Sequence, residues 1–465
     1  MALRSTMSTE QQSLILSVFP PEITQRIFGH CLLPQYGPRG PLVHRFGWSP
    51  SPREAPLLLA QICRQWRDIC IESPNLWTSV GFDEKQPIEY LLTSLERAGD
   101  GVPLSLRIRA SSSTAAIAMD LIIPYIHRWQ RVHLILPVAE LIRLHMHHCP
   151  LLEQLTLSAF EKETSQLTNP TLIQSAPLLS YADATNFPNL ELPGRMNLLT
   201  ILRIRAWDAS QAMATLRLCP NLLDLACDYR NPYPHSFILQ PPEPFELASL
   251  RILKVTDDQM LPFLITPNLE RLHLHYTSRH EDNAGIPSDA LGSFLARSGC
   301  DLLFLSMNGK RILHQWYLAN LLHHANSVRH LRVTVADGVD VSCLMWTIAM
   351  PDCLPRLVHL EVRDPAAVIY PNRGQYDAML EMLSQRQKHT SLERMELFLG
   401  RRTVGGPRTP PAAVMRELRG LEKIGLQVRI TARNRPTSSS YVDVSLFDNF
   451  VGSAVEYAYI PPFEL

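Results

Sequence analysis

The sequence lacks a net charge that would draw the chain to nucleic acid or to an anionic membrane. Its 465 residues include 44 lysines and arginines and 44 aspartates and glutamates. It also lacks the ~20-residue apolar run that a transmembrane helix needs, and the apolar stretch at residues 14–19 is too short for a secretory leader. These absences predict a soluble protein of the cytoplasm or nucleus that binds neither nucleic acid nor membranes.

Patterns typical of disulfide frameworks and metal sites are missing as well. The nine cysteines are an odd number and form no Cys-x-x-Cys pair. Most of them, such as Cys63 and Cys227, sit in apolar patterns where cysteine behaves as a small hydrophobe, so a reducing compartment fits. The nearest approach to a metal set is His145, His147, His148 and Cys149, but helix positions one and two apart diverge. We expect no metal site there.

Motifs that carry catalysis are absent too. The chain has no Gly-x-Ser-x-Gly elbow, no phosphate loop of the Gly-x-x-x-x-Gly-Lys type and no Gly-x-Gly-x-x-Gly turn. We therefore expect a protein that is not an enzyme and uses no cofactor. An enzyme whose site is assembled by the fold alone stays open as an alternative.

Two stretches near the start of the chain have the spacing of amphipathic helices. Residues 56–77 carry apolar side chains every three or four positions, and Ser73-Pro74 should end the helix, because a residue before proline is pushed out of the α region. Residues 19–33 open with Pro21 and Glu22, which suit a first helical turn. The sequence thus predicts two helices that share one small core.

The same stretches contain a set of short segments with a familiar order. These are Pro20-Pro21-Glu22-Ile23, Ile27-Phe28, the leucines at 57–59, residues 62–64 and 66–69, and Ser73-Pro74-Asn75-Leu76-Trp77. Together they resemble the F-box, in particular the F-box-like proteins common in mushroom-forming fungi. The departure from the family pattern is a Pro-rich insertion at 34–55. Residues 1–13 are polar and patternless, which predicts a disordered lead-in, and the resemblance implies an F-box-like helical domain at 14–80.

The resemblance also implies a partner, the Skp adaptor of a cullin–RING ubiquitin ligase. It assigns the adaptor contact to Phe19, Pro20, Pro21, Glu22, Ile23, Ile27 and Phe28, with Leu58, Leu59, Ile62 and Trp66 either packing beneath them or sharing the contact. The alternative for each residue is plain core packing in a small helical domain.

After this domain, a Pro-x-Leu-x-x-Leu-x-Leu phrase recurs along the chain. Eleven copies run from Cys149–Leu157 (CPLLEQLTL) to Gly420–Leu426 (GLEKIGL), with centres roughly 19 to 35 residues apart. This spacing brackets the 20 to 29 residues of leucine-rich repeats. Each phrase predicts a turn and a short strand with its leucines pointing inward.

Helical patterns separate many of these phrases. We predict helices at 87–98, 121–128, 140–148, 209–218, 288–297, 313–324 and 375–387, and further strands at 102–109 and 131–136. The predicted fold is therefore α/β: the small helical module, then an irregular leucine-rich-repeat-like solenoid with a parallel sheet over 81–465. A doubly wound sheet is disfavoured because its strands would read as continuous β-branched runs.

The outward positions of the predicted strands are mostly basic. They are Arg107, Arg109, Arg203, Arg205, Lys254, Arg271, His273, His275, Arg332, Arg363, Arg394 and Lys423, against Asp224, Asp228, Glu361 and Glu396. Arginine pairs well with carboxylate and phosphate. We therefore expect an acidic or phosphorylated target segment to contact Arg203, Arg205, Arg271, His273, Arg332 and Arg363. The alternative is solvated strand charges balanced by acids on the helices.

Together these features predict an F-box-type substrate receptor, which links a target protein to a ubiquitin ligase by protein–protein contacts. The alternative is a leucine-rich-repeat scaffold that is not attached to a ligase.

Overall fold

A computed structural model describes most of the chain. The described residues are 19–32, 55–145, 147–159, 173–188, 194, 196–206, 209–229, 243–256, 260–275, 290–308, 315–334, 341–364, 373–389, 392–399, 412–423, 425–433 and 441–445. The predicted lead-in at 1–13 and nearly all of the predicted insertion at 34–55 lie outside them. The chain forms two compact units, Met1–Leu199 and Thr200–Leu465.

Three short helices open the first unit: α1 (Pro21–Cys31), α2 (Leu57–Ile62) and α3 (Arg64–Ile71). The prediction of one continuous helix after residue 56 is wrong, because Cys63 adopts an extended backbone between α2 and α3. Its Sγ accepts a hydrogen bond from the Trp66 N–H at 3.5 Å and so caps the start of α3. Helix α3 ends just before Ser73-Pro74, as predicted.

The predicted shared core of these helices is confirmed. The rings of Phe28 in α1 and Trp66 in α3 lie 4.8 Å apart, centroid to centroid, with their planes tilted by 53°. Phe28 is 1% exposed and Leu59 is 7% exposed. The indole N–H of Trp77 donates to the Cys70 carbonyl at 2.8 Å, which ties the end of α3 to the following segment.

A parallel sheet follows in the first unit. Its strands, hydrogen-bonded in chain order, are β1 (Ser79–Asp83), β2 (Leu104–Arg109), β3 (Trp129–Leu136), β4 (Gln154–Ala159) and β5 (Tyr181–Pro188). Between them lie α4 (Ile88–Arg97), α5 (Ser112–Ile122), a 3-10 helix (Ile123–Arg128) and α6 (Val138–Ile142). The helices predicted at 121–128 and 140–148 thus differ in extent from those observed.

The second unit repeats this arrangement over more strands. These are β6 (Ile201–Ala206), β7 (Asp224–Tyr229), β8 (Phe245–Glu246), β9 (Ile252–Val255), β10 (Leu264–Ile265), β11 (Arg271–His275), β12 (Phe304–Asn308), β13 (His330–Thr334), β14 (His359–Asp364), β15 (Arg394–Leu399), β16 (Gln427–Arg433) and β17 (Tyr441–Ser445). The helices are α7 (Ala209–Arg217), α8 (Ala290–Ser298), α9 (Gln315–His323), α10 (Val341–Ala349), α11 (Arg373–His389), α12 (Ala412–Glu422) and a 3-10 helix (Leu261–Phe263).

The strands of the second unit are also ordered as in the chain. The main sheet runs β6, β7, β9 and then β11 to β17, while β8 and β10 form a separate parallel pair. All pairs from β11 to β16 are parallel, whereas β17 is antiparallel to β16. A doubly wound sheet would reverse its strand order partway, and within neither unit does the order reverse.

Ten of the eleven leucine phrases contain the start of a strand as predicted, and the last one does not. Gly420–Leu426 begins inside α12, and the strand β16 starts only at Gln427. The first three residues of this phrase, 420–422, form the last turn of α12 rather than a repeat turn. Lys423 accordingly does not lie on a strand.

The inward strand positions form the core of each unit. Leu104, Leu106 and Ile108 of β2 are at most 2% exposed, and the same alternation holds at Leu331 and Val333 of β13. Each such side chain contributes roughly 1.5–3 kcal/mol by its burial. The opposite face of each strand therefore remains for polar side chains.

Buried arginines tie helices to the turns that precede the strands. Arg386 of α11, 1% exposed, donates to the carbonyls of Ile348, Met350, Cys353 and Leu354 at the end of α10 and beyond it. Burial lowers the pKa of its guanidinium, yet an arginine stays charged at physiological pH. The charge thus faces the carbonyl end of α10, where a helix dipole favours a cation.

Two other arginines also donate hydrogen bonds to backbone carbonyls of the preceding segment. Arg128 donates to the carbonyls of Ala98, Gly99 and Val102 after α4. Arg297 donates to the carbonyls of Leu261 and Leu264. A long side chain on one repeat thereby satisfies backbone acceptors of the preceding one.

We expect Arg386→Met to destabilise the chain by about 3 kcal/mol or more, because it leaves several buried carbonyls without a donor. Urea unfolding followed by circular dichroism measures this loss. Arg356→Met is the matched control, since Arg356 is exposed, and it should shift stability by less than about 0.5 kcal/mol. Equal unfolding midpoints for the two variants would show that the hydrogen bonds of Arg386 to these carbonyls do not stabilise the fold.

Candidate protein-binding surfaces

The N-terminal helices present two exposed apolar stripes. Ile23 and Ile27 of α1 are 39% and 38% exposed, and Leu58 and Ile62 of α2 are 43% and 55% exposed. Residues four apart share one face of a helix, so each pair forms a continuous stripe. We call these four residues the N-terminal stripes. Phe19, just before α1, is 42% exposed as well.

The structure divides the predicted adaptor-contact residues into a surface set and a core set. The exposed set is Phe19, Pro20, Pro21, Glu22, Ile23, Ile27, Leu58 and Ile62. Phe28 and Leu59 are buried, and Trp66 is half-buried against Phe28. The buried side chains hold the helices together, while the N-terminal stripes can be covered only by something outside this core.

In the second unit, the outward side chains of neighbouring strands stand in rows because the strands pair in register. One row contains Arg271, Phe304, His330, His359 and Arg394 on β11 to β15. Neighbouring strands lie about 4.8 Å apart, which brings rings at the same position into contact. We call the outward side of β9 and β11 to β15 the strand face.

The rings in this row stack along the sheet. Phe304 and His330 have centroids 4.6 Å apart and meet edge to face at 73°, while His330 and His359 stack at 4.1 Å and 24°. His273, from the next row, approaches Phe304 at 5.1 Å. The sequence reasoning placed Arg271 and Arg394 on the outward side but missed the three rings between them. Their signal was available, since Phe304, His330 and His359 each stand directly before a buried leucine of their strand.

A buried carboxylate organises the charges beside the rings. Glu361 of β14, 2% exposed, accepts a hydrogen bond from Arg332 Nε at 2.6 Å and pairs with Arg363, and His330 Nε2 lies 3.6 Å away. Burial alone would raise the pKa of Glu361. The imidazole of His330 and the two guanidinium groups outweigh burial and lower that pKa to about 2.

Two further ion pairs flank this centre. Glu396 of β15 pairs with Arg394 and lies 3.7 Å from His359 Nε2. Burial opposes ionisation of Glu396, but these neighbours lower its pKa below the usual value. On the other side, Lys254 Nζ of β9 lies 3.3 Å from an Asp224 carboxylate oxygen.

The expected basic face is therefore only partly basic. Arg332 and Arg363 are engaged by Glu361, and the balancing acids lie on the strands themselves rather than on helices. His273 adds no positive charge at neutral pH, because burial and then the charges of Lys254, Arg332 and Arg271 lower its pKa to about 3.

Among the remaining predicted target-contact residues, Arg271 is exposed and Arg203 is half-buried. The side chain of Arg205 lies outside the described part of the chain.

Most of the cysteines are buried, as the sequence suggested, but Cys63 is half-buried and caps α3. All nine are free, and five of them are buried, namely Cys70, Cys149, Cys219, Cys227 and Cys353. Burial raises the pKa of the Cys149 and Cys219 thiols to about 12.

Within the described ranges, no three His, Cys, Asp or Glu side chains are placed to hold a metal ion. In the same ranges, no helix is long and apolar enough to cross a bilayer.

No protein-family model matches this chain, and no curated protein matches it.

We expect the stabilising effect of Glu361 to depend on pH. Its folded pKa, about 2, lies below the ordinary 4.5, so its contribution is present above about pH 4.5 and is lost as pH falls toward 2. At about 1.4 kcal/mol per pKa unit, Glu361→Gln should cost roughly 3 kcal/mol at pH 7 and little near pH 2. Denaturant unfolding of both proteins across this pH range measures the difference.

Glu393→Gln serves as the control for this series, because Glu393 is an exposed carboxylate directly before β15. It should leave stability nearly unchanged at every pH. A Glu361→Gln effect that stays constant from pH 7 to pH 2 would contradict the assignment.

Proposed function

We propose that this chain is an F-box-type substrate receptor. Its N-terminal helices bind the Skp adaptor of a cullin–RING ubiquitin ligase, and its repeat region binds a target protein. The receptor carries out no chemistry of its own. By holding target and ligase together, it converts a bimolecular encounter into one at high effective concentration.

The observation that carries the proposal is the pair of N-terminal stripes. Burying exposed apolar area on a partner contributes about 25 cal/mol per Å² to the free energy of binding. The exposed side chains of Ile23, Ile27, Leu58 and Ile62 therefore form a surface that favours binding to an apolar partner surface. These are residues to which the family resemblance assigns the adaptor contact. The core contact between Phe28 and Trp66 fixes α1 against α3, which keeps the α1 stripe on the outside.

The ordering of strands within each unit supports the second half of the proposal. Strands that pair in chain order, with buried leucines on one face, are the arrangement expected of a leucine-rich-repeat-like solenoid. In such a fold, each repeat adds outward side chains to one continuous face. A surface of that kind suits recognition of a protein segment.

The second candidate is a repeat scaffold that is not attached to a ligase. It is favoured by the chain between α1 and α2, where a compact F-box has only a short connection and this sequence has the Pro-rich residues 34–55. In that case the repeat region would still bind a protein, but the N-terminal helices would bind no Skp adaptor.

Co-purification with the Skp adaptor and cullin distinguishes the two candidates. Wild type should bring both down, and the double variant Ile23→Asp with Ile27→Asp should lose them, because two charges would have to enter an apolar interface. The matched control is Leu92→Asp with Ile117→Asp, which changes exposed residues of α4 and α5 that are 41% and 49% exposed. Circular dichroism checks that all three proteins are folded.

If folded wild type brings down no adaptor, the receptor proposal is wrong and the scaffold takes its place. Equal loss in both double variants would show that the N-terminal stripes are not the contact.

A further inference from the structure

We propose that the strand face binds an acidic peptide segment in which an anionic group stands next to an aromatic side chain. The binding residues are Lys254, Arg271, His273, Phe304, His330 and Arg332. The inference rests on the proposed function in one respect only, namely that the segment belongs to the target protein.

The charges of this region favour an anion. Lys254, Arg271 and Arg332 all lie close enough to His273 to disfavour its protonated form. Two carboxylates in this region, Asp224 and Glu361, offset the lysine and the paired arginines. With Arg363 included, four cations face two anions, which leaves an excess of two positive charges.

The spacing of these groups fits a short extended segment. Lys254, His273, Ser306 and Arg332 stand at one register position on β9, β11, β12 and β13. With strands about 4.8 Å apart, this row spans about 14 Å, the length of roughly four residues of extended chain at about 3.3 Å each. Uncharged His273 keeps one N–H donor, and Ser306 adds a hydroxyl.

The rings supply the second half of the recognition. Phe304 and His330 are half-buried and stand on the same strands as Ser306 and Arg332, two residues earlier. The Arg332 guanidinium carbon lies 5.3 Å from the centre of the Phe304 ring, so cation and ring surfaces adjoin. An aromatic side chain can pack against such rings while its neighbouring anion meets the cations.

The same face argues against a nucleic acid as the occupant. A phosphate backbone carries regularly spaced charges along its whole length. Here Glu361 and Glu396 stand one and two strands beyond Arg332 at the same register, so a polyanion crossing the row would meet carboxylates. An isolated anionic group beside a ring avoids them.

Fluorescence anisotropy with the purified full chain tests the inference. The probes are labelled peptides of about ten residues containing Glu and Tyr together, Glu with Ala, Tyr with Gln, or phosphotyrosine, and a single-stranded oligonucleotide of similar length. We expect the Glu–Tyr or the phosphotyrosine peptide to bind at least about tenfold more tightly than the others, with affinity falling as salt rises. The tighter of the two identifies the anion as carboxylate or phosphate.

Three variants locate the site. Arg271→Glu should weaken the best peptide at least about tenfold, since it reverses an exposed charge at the cluster. Phe304→Leu keeps an apolar side chain but removes the ring, and should weaken the Tyr-containing probes while leaving Glu–Ala binding unchanged. Arg416→Glu, an equal charge reversal at an exposed position of α12, should bind as wild type does.

The inference is overturned if no peptide binds, if the Glu–Ala peptide binds as tightly as the Glu–Tyr peptide, or if the oligonucleotide binds best. It is also overturned if Arg271→Glu and Arg416→Glu behave alike. Since these assays contain no adaptor, their failure would leave the proposed adaptor contact untouched. Conversely, Ile23→Asp with Ile27→Asp should still bind the peptide.

Discussion

Parallel pairing in register between consecutive repeats is the constraint on which most of this structure depends. From β11 to β14, for example, each strand bonds to the strand of the preceding leucine phrase, so equivalent positions of successive phrases stand side by side. The inward leucines of neighbouring strands then form continuous rows on one side of the sheet. A missing or slipped strand would therefore expose the rows on both sides of it.

The same constraint gives the outward face its chemistry. The position of His330 in the sequence does not show what its ring contacts. In the structure the ring lies between those of Phe304 and His359 and is part of a stack. Glu361 likewise is a buried carboxylate whose pKa is kept low by His330 and Arg332 from the previous strand, together with Arg363 of its own strand. The face that could receive a target is thus a mixture of rings and compensated charges, with its excess of positive charge concentrated around His273.

Near the start of the chain, the decisive feature is a single break in a helix. Cys63 separates α2 from α3, so Leu58 and Ile62 need not share the direction of the α3 residues that meet Phe28. Within the predicted amphipathic segment, α3 then packs in the core through Trp66, and α2 presents Leu58 and Ile62 as an exposed stripe. This division into core and surface is what makes the adaptor proposal specific enough to test with two substitutions.

The sequence by itself determined where most of the strands lie and which of their residues point inward, because both follow from local periodicity; it did not predict β1, β8, β10, β16 and β17. Ten leucine phrases, the start of α1 at Pro21 and the end of α3 before Ser73 could all be predicted in this way. It could not distinguish the end of α12 from the start of an eleventh repeat, since Leu421 suits either one. Only the tertiary structure decided that Arg332 meets Glu361, that His273 is uncharged, that Arg386 clamps the end of α10, and that Ile27 is exposed while Phe28 is buried. These outcomes depend on which residues from distant parts of the chain become neighbours, and pairing across repeats, which no local pattern encodes, sets those neighbours.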